Sequence, residues 1–393
     1  MKLEAKPLAT LYILQALTKG LSTSYFVLLP VFYAKKLIGS AAIGYIGAAF
    51  IVALIIGAVA VARRLHSLST GVLFRLAAAM AVVAGCVLLA GTSLKLTGLL
   101  TVAYVVMGLA MGLAMSAIGA LSASLTVKGE RFRTMAKLWM LVDVIRIVAP
   151  ILIAGMVIVG GAPGAVAAIT FLAVLYFVFT SHLPRVQLKD QTVPQAHRLR
   201  LRRNRAFSFT LAVEFLDSFA SSQLFVYLPL LLLSKGYSLE KSLLLQTFVF
   251  SGYFCGRWLV GLFAERYSGI RAVAYAEVGM AASIIALLLV KPLWALYAFS
   301  FIFGIFARGT SPAISALAFD TLHENQTKRG SALIVVAGDS GSALGQLFFG
   351  LLIAWFSVKT PFVLAVVVAG VVAAACLARP RGPAKLSEQP RLA

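Results

Sequence analysis

The chain is short of charge, and of negative charge above all. Its 393 residues include 13 Asp and Glu against 35 Lys and Arg, and charged side chains make up only 12% of it. Soluble domains carry about 25%, so an ordinary globular fold with a fully solvated surface is excluded. Cysteine is almost missing. Cys86, Cys255 and Cys376 stand singly inside apolar stretches, with no metal-ligand spacing and no disulfide framework, and read as core. The four histidines, His66, His182, His197 and His323, lie in or beside loops. No glycine-rich phosphate loop, zinc motif or nucleophile elbow occurs, so nothing here calls for an enzyme, a metal or a cofactor. The start, Met1 to Pro7, is too short and too mildly basic for a cleaved signal.

What is abundant is apolar. Hydrophobic residues reach 61%, and stretches long enough to cross a bilayer, about 20 residues each, recur along the whole length. Twelve are predicted, at 8–33, 41–62, 71–93, 97–127, 138–160, 164–183, 207–233, 243–263, 272–290, 293–320, 331–356 and 361–378. They read as helices. Strands of a membrane barrel alternate apolar and polar residues, which a run such as Ile51-Val52-Ala53-Leu54-Ile55-Ile56 does not. The 32 glycines suit close helix packing in lipid.

The basic residues set an orientation. With both termini cytoplasmic, inner loops and tails hold 23 of the 35 and outer loops 7, the asymmetry of the positive-inside rule. The net charge of +22 is therefore spread over short inner loops, which argues against a nucleic-acid partner. Its densest run, Arg198 to Arg205, points to anionic membrane lipid. This run lies in a polar linker at 185–206 that divides the chain into a six-helix bundle at 1–184 and a second at 207–393 with a short cytoplasmic tail.

The two halves repeat. Phe26-Val27-Leu28-Leu29-Pro30 returns as Phe225-Val226-Tyr227-Leu228-Pro229, with Ser22 matching Ser221. At a slightly shorter offset, Ala117-Ile118-Gly119-Ala120-Leu121 returns as Ala313-Ile314-Ser315-Ala316-Leu317. The same offset carries Gly108 onto Gly304 and Asp143 onto Asp339. Membrane proteins built of two parallel repeats generally rock one half against the other around a central site.

The segment from Gly256 to Arg271 resembles the signature loop of the major facilitator superfamily, Gly-x-x-x-Asp-Arg-x-Gly-x-Arg. Gly261, Glu265, Arg266 and Arg271 carry the match, with Glu in place of Asp and Gly269 one place late. The corresponding first-half loop keeps Arg63 and Arg64 and lacks the acid. The stretch from Arg329 to Gly345, including Asp339, is similar to the superfamily's eleventh span. The fifth span keeps Pro150 but not the glycine motif of the family's drug antiporters. The resemblance implies an all-α fold of twelve transmembrane helices in two pseudo-symmetric six-helix bundles. It also implies that spans one, four, seven and ten line a central cavity.

Charges inside spans give the candidate site, since each costs about 2.5–3.5 kcal/mol on insertion scales unless paired or wet. Asp217 and Glu214, three apart and on one face of the seventh span, are the candidate proton carriers. Lys19, Arg308, Tyr25, Tyr227 and Gln15 are candidate substrate contacts. Gly261, Glu265, Arg266, Arg271, Arg257, Asp143, Arg146 and Asp339 are candidate gating residues, with Asp143–Arg146 read mainly as a structural pair. Arg75 and Glu277 are set aside as lying near the inner ends of peripheral spans. The reading is a monomeric secondary transporter of a bacterial inner membrane that exports a small organic molecule in exchange for protons. Uptake of an anionic solute, a lipid flippase and a non-transporting sensor are the alternatives.

Overall fold

The computed structural model describes residues 5–63, 65, 68–125, 131–181, 204–221, 224–267, 269–320 and 327–379, together with most of their side chains. Among them there is no strand. The helices are α1 (Ala5–Ala34), α2 (Ser40–Arg63), α3 (Thr70–Leu94), α4 (Thr97–Leu125), α5 (Arg131–Ser181) and α6 (Arg205–Ser221). They continue with α7 (Leu224–Ser234), α8 (Leu239–Tyr267), α9 (Gly269–Leu289), α10 (Leu293–Asp320), α11 (Thr327–Trp355) and α12 (Thr360–Ala378). The fifth and sixth predicted spans are one element, α5, and the seventh is divided into α6 and α7, so the span count remains twelve. Eight of the described helical stretches are long and apolar enough to cross a membrane, one of them, Met140–Ser181, being long enough to do so twice.

Local chemistry explains the breaks. The α5 chain reverses at Gly161, whose φ of 63° and ψ of −160° suit a residue without Cβ. Pro163 follows at a place where a helix can restart without its missing N–H. Asn204 caps α6 through its side-chain oxygen, which accepts from Phe207 N at 2.9 Å. At the end of the bundle away from the termini, Lys235 closes α9. Its ammonium donates to Leu287 O at 2.8 Å, to Leu288 O at 3.3 Å and to Val290 O, which satisfies carbonyls the helix leaves open. Partial burial, and then the nearby Lys359 and Lys291, hold this ammonium below the usual lysine value.

The repeat read from the sequence is a repeat of packing. In the first half α2 packs on α4, and both α1 and α3 pack on α5. In the second half α8 packs on α10, α6 on α11, and α9 on α12. Gly108 of α4 lies against the Phe50 carbonyl of α2, and Gly304 of α10 against Val249 and Gly252 of α8. Small residues permit this backbone approach, which is how helices associate in lipid. Cys376 is buried as predicted, whereas Cys86 faces outward; α3 presents that side away from its neighbours.

The halves meet along α2–α11 and α5–α8, with α1 touching α7 on the axis between them. There the repeated phenylalanines meet. Phe26 and Phe225 have ring centroids 6.0 Å apart in an edge-on arrangement. Phe50 backs the first at 4.9 Å and Phe250 the second at 5.1 Å. Such aromatic pairs contribute about 0.5–1.5 kcal/mol each beyond burial.

A leucine at Gly304 would drive its side chain into the α8 backbone. Gly304→Leu is expected to lose about 1–3 kcal/mol, read as a lowered unfolding midpoint in detergent. The same substitution at Gly370, where a Cβ would meet open space, should leave the midpoint unchanged.

Candidate functional site

Helical spacing places a polar stripe beneath the aromatic pair in each half. On α1, Phe26, Ser22, Lys19 and Gln15 lie at intervals of four, three and four residues. On α6 and α7, Phe225, Ser221, Ser218 and Glu214 follow the same intervals. Phe26 and Phe225 face each other across the seam, and on α1 the polar residues below Phe26 continue over about 16 Å of helix. Close packing of α1 on α6 is absent among the described residues, and the stripes therefore flank a region where the halves part. Gln15 is 4% exposed and its side-chain carbonyl accepts no hydrogen bond from described residues. Lys19 is half-buried. Glu214 is 7% exposed and accepts from Ser218 Oγ at 3.4 Å.

Asp217 takes a different direction from Glu214, although the two were read as sharing a face. Three residues turn a helix through about 300°, so they differ by about 60°, and in a crowded bundle that selects different neighbours. Glu214 lies beside Gly338 of α11. Asp217 is 1% exposed and turns into its own half, where its Oδ2 accepts from the Thr310 hydroxyl of α10 at 3.2 Å. Glu277 of α9 is likewise fully buried. Sequence reasoning set Glu277 aside as near a helix end. Its position eight residues into α9, about 12 Å, is the signal that marks it as deep.

Between the halves, Asp143 of α5 holds two arginines. Its Oδ1 lies 3.6 Å from Arg146 on the next turn, and its Oδ2 lies 3.3 Å from Arg257 of α8. Asp143 is 1% exposed and Arg257 about one quarter, so the pair is largely shielded. The same interface carries a hydrogen bond from the Thr247 hydroxyl of α8 to Ile147 O at 3.3 Å. On the α2–α11 side, Gln346 is fully buried and donates through Nε2 to Ile43 O at 3.1 Å. The Tyr227 hydroxyl donates in turn to Gln346 O at 2.7 Å. Gly44 and Gly350 meet backbone to backbone beside it; a Cβ on Gly44 would stand 2.8 Å from Gly350 Cα. Sequence reasoning missed Gln346 because a glutamine in an apolar span carries no charge to flag it.

The remaining candidates are placed as follows. Tyr25 and Tyr227 are fully buried; Tyr25 packs edge-on against Tyr104 at 5.0 Å, and its backbone carbonyl accepts from the Tyr104 hydroxyl. Arg271 and Asp339 are half-buried on α9 and α11. The side chains of Arg308, Gly261, Glu265 and Arg266 lie outside the described residues, as does all of the 185–206 linker up to residue 203. Among the described residues no cluster of His, Cys, Asp or Glu could hold a metal ion.

Two six-helix halves related by a repeat, apolar toward lipid and polar along their seam, define a membrane carrier of the two-bundle kind. The sequence profile of the Major Facilitator Superfamily matches residues 8–290 and 242–392, and the chain belongs to that family. It is accordingly an integral membrane transporter and not an enzyme. A POT family transporter solved with 5-aminolevulinic acid superposes with a TM-score of 0.77 at 14% identity, covering 95% of each chain. Nucleoside transporter NupG gives 0.77 at 13%, covering 95% of this chain and 98% of that one. A D-xylose–proton symporter gives 0.71 at 15%, covering 94% and 96%. These likenesses establish the fold. No curated protein matches the sequence.

The Asp143–Arg257 contact predicts a measurable coupling. In a double-mutant cycle of Asp143→Asn and Arg257→Gln, unfolding free energies should be non-additive by about 0.5–3 kcal/mol, because the two side chains interact directly. Additive effects would show that the two side chains do not bridge the halves.

Proposed function

We propose that the protein is a proton-coupled secondary transporter that works by alternating access and exports a small organic molecule from a bacterial cytoplasm. The observation that carries this reading is the pair of buried acids on one helix, Glu214 against Gly338 of α11 and Asp217 against Thr310 of α10. A carboxyl buried in a membrane bundle is retained at a cost in stability, and proton relays are a principal use of it. The seam supports the alternating-access part. Among the described residues it carries the Asp143–Arg257 ion pair, the Thr247 and Gln346 hydrogen bonds, the Gly44–Gly350 contact and the Phe26–Phe225 pair, contacts that can open and reform. The tight α2–α11 contact on the side away from the termini supports a state closed there. With both termini cytoplasmic, as the basic residues indicate, that state is closed to the outside.

Substrate would bind along the facing stripes, to Gln15 and Lys19 on α1 and to Ser218 and Glu214 on α6. Arg308, at about the same depth by sequence, would join them from α10. The gate would be Asp143 with Arg146 and Arg257, and the loop holding Gly261, Glu265, Arg266 and Arg271 would latch the cytoplasmic side together with Asp339. Anionic lipid would meet the basic linker. A single twelve-span unit encloses the path without a partner subunit.

A second reading, proton-driven uptake of an anionic solute, is favoured by Lys19 standing half-buried on the seam, where an ammonium grips a carboxylate or phosphate. The similarity to a D-xylose–proton symporter points the same way for direction.

One assay separates these. A thermal-shift screen of metabolites, antibiotics and siderophores selects a ligand, since binding to the native state raises its midpoint. That ligand is then followed in inverted and right-side-out vesicles under an imposed proton gradient. Export predicts gradient-driven accumulation in inverted vesicles, abolished by Asp217→Asn with counterflow retained. Accumulation in right-side-out vesicles selects uptake. An Asp217→Asn protein with unchanged pH dependence rejects the proton assignment.

A further inference from the structure

Two hydrogen bonds leave α8 from neighbouring residues, and each ends beside a proline of another helix. Pro229 of α7 has no N–H to give the Phe225 carbonyl four residues before it. Gln246, fully buried on α8, supplies the missing donor, its Nε2 donating to Phe225 O at 2.9 Å. The next residue, Thr247, donates across the seam to Ile147 O of α5 at 3.3 Å. Ile147 stands three residues before Pro150, whose ring crowds the carbonyls of the preceding turn. Successive residues of a helix point about 100° apart, so one turn of α8 holds its own half with one side chain and the opposite half with the next.

From α7 the connection continues. Tyr227, two residues beyond Phe225, donates through its hydroxyl to Gln346 O of α11 at 2.7 Å and sets its ring edge-on against Phe349 at 5.8 Å. The Gln346 amide donates in turn to Ile43 O of α2 at 3.1 Å. Gln246, Tyr227 and Gln346 are fully buried, so no water stands ready to replace a broken bond. Together these bonds make one strap. It grips the first half at Ile147 and at Ile43, on the two sides of the seam, and runs between them through the second half by way of α7.

Its links are unequal. Thr247 is half-buried, and a threonine hydroxyl in a helix can turn to the carbonyl four residues back, here Leu243 O. The Thr247 bond can therefore release without stranding its donor. The Phe225 carbonyl has lost its helical donor to Pro229, and letting go of Gln246 would leave both groups unpaired in a buried place.

We infer that Gln246, Tyr227 and Gln346 are positioning residues that couple the two sides of the seam, so that the α5–α8 and α2–α11 contacts open and close together. The inference rests on the alternating-access part of the reading above and not on its proton coupling. When the α5–α8 side parts, Thr247 leaves Ile147 O and turns to its own helix. Gln246 stays on Phe225 O, and the movement of α8 passes to α7 at its proline. Tyr227 carries it to α11, and Gln346 carries it to α2. Phe225 rides on the same turn of α7, which puts the Phe26–Phe225 contact on this path.

The test follows two distances in lipid nanodiscs, in a cysteine-free background. Spin labels at Val159 and Lys241 report on α5 and α8 at the ends away from the termini, and labels at Gly39 and Phe356 report on α2 and α11 there; all four positions are exposed. Thr247→Val keeps the side-chain shape and removes its donor. It should raise the open fraction several-fold at both pairs, and Thr247→Ser should restore wild-type behaviour. In a Tyr227→Phe background, which keeps the ring, Thr247→Val should still open the first pair and leave the second unchanged. A Gln246→Leu background should uncouple the pairs in the same way. Unfolding midpoints within a few degrees of wild type certify each fold, and Tyr227→Phe decides alone if Gln246→Leu fails this criterion. Paired opening that persists in Tyr227→Phe overturns the strap, as does opening of one pair alone by Thr247→Val with the strap intact. Distances that take two values in wild type and change in no variant overturn the strap and leave alternating access standing. Distances of one value in every protein overturn both.

Discussion

A charge inside a bilayer has to be met by something, and the interior of this protein is arranged around that requirement. Asp143 is met by two guanidinium groups, one from its own helix and one from the opposite half. The second contact makes the ion pair part of the interface. A buried pair of this kind is a weak stabiliser, because desolvation offsets most of the attraction. It is nevertheless strongly disfavoured for one partner to remain buried alone. The result is a contact that holds when the halves are together and that must be rehydrated or re-partnered when they part, which suits a seam that opens.

The rest of the seam follows the same logic with uncharged groups. Gln346 spans from α11 to the Ile43 carbonyl of α2 and is itself held by the Tyr227 hydroxyl. The glycine backbones of Gly44 and Gly350 bring these helices close enough for that to happen. The aromatic pair Phe26 and Phe225 sits on the axis, where a repeat necessarily places like against like. Beneath it the two stripes diverge in chemistry. The first half offers a hydroxyl, an ammonium and an amide, and the second a carboxylate and two hydroxyls. Pseudo-symmetry of the fold thus frames two stripes of unlike chemistry.

Much of this was legible in the sequence. The span positions, the repeat and the family resemblance follow from local composition and spacing, and the structure keeps the pairing of Gly108 with Gly304 and of Phe26 with Phe225. What could not be read is which way each helix is turned. Spans such as α2 and α12 are apolar on every side, so their periodicity does not mark an inner face. Rotation about the axis is then set by packing against neighbours far away in the chain. That is why Asp217 and Glu214 were read as one surface and separate in the fold. Glu277 was discounted on a separate ground, its place near the inner end of a peripheral span, and it is fully buried. Arg257 was read as part of a loop latch, and its reach to Asp143 depends on the α5–α8 crossing, which no local pattern encodes.

Distances between the halves test the central claim most directly. Spin-label pairs at Lys36 and Lys359, on the side away from the termini, and at Ser69 and Gly269, on the side of the termini, would be followed across a pH titration in lipid nanodiscs. Rocking about a seam predicts opposed changes, with the first distance lengthening as the second shortens. Two distances that stay fixed at every pH, or that lengthen together, would contradict it.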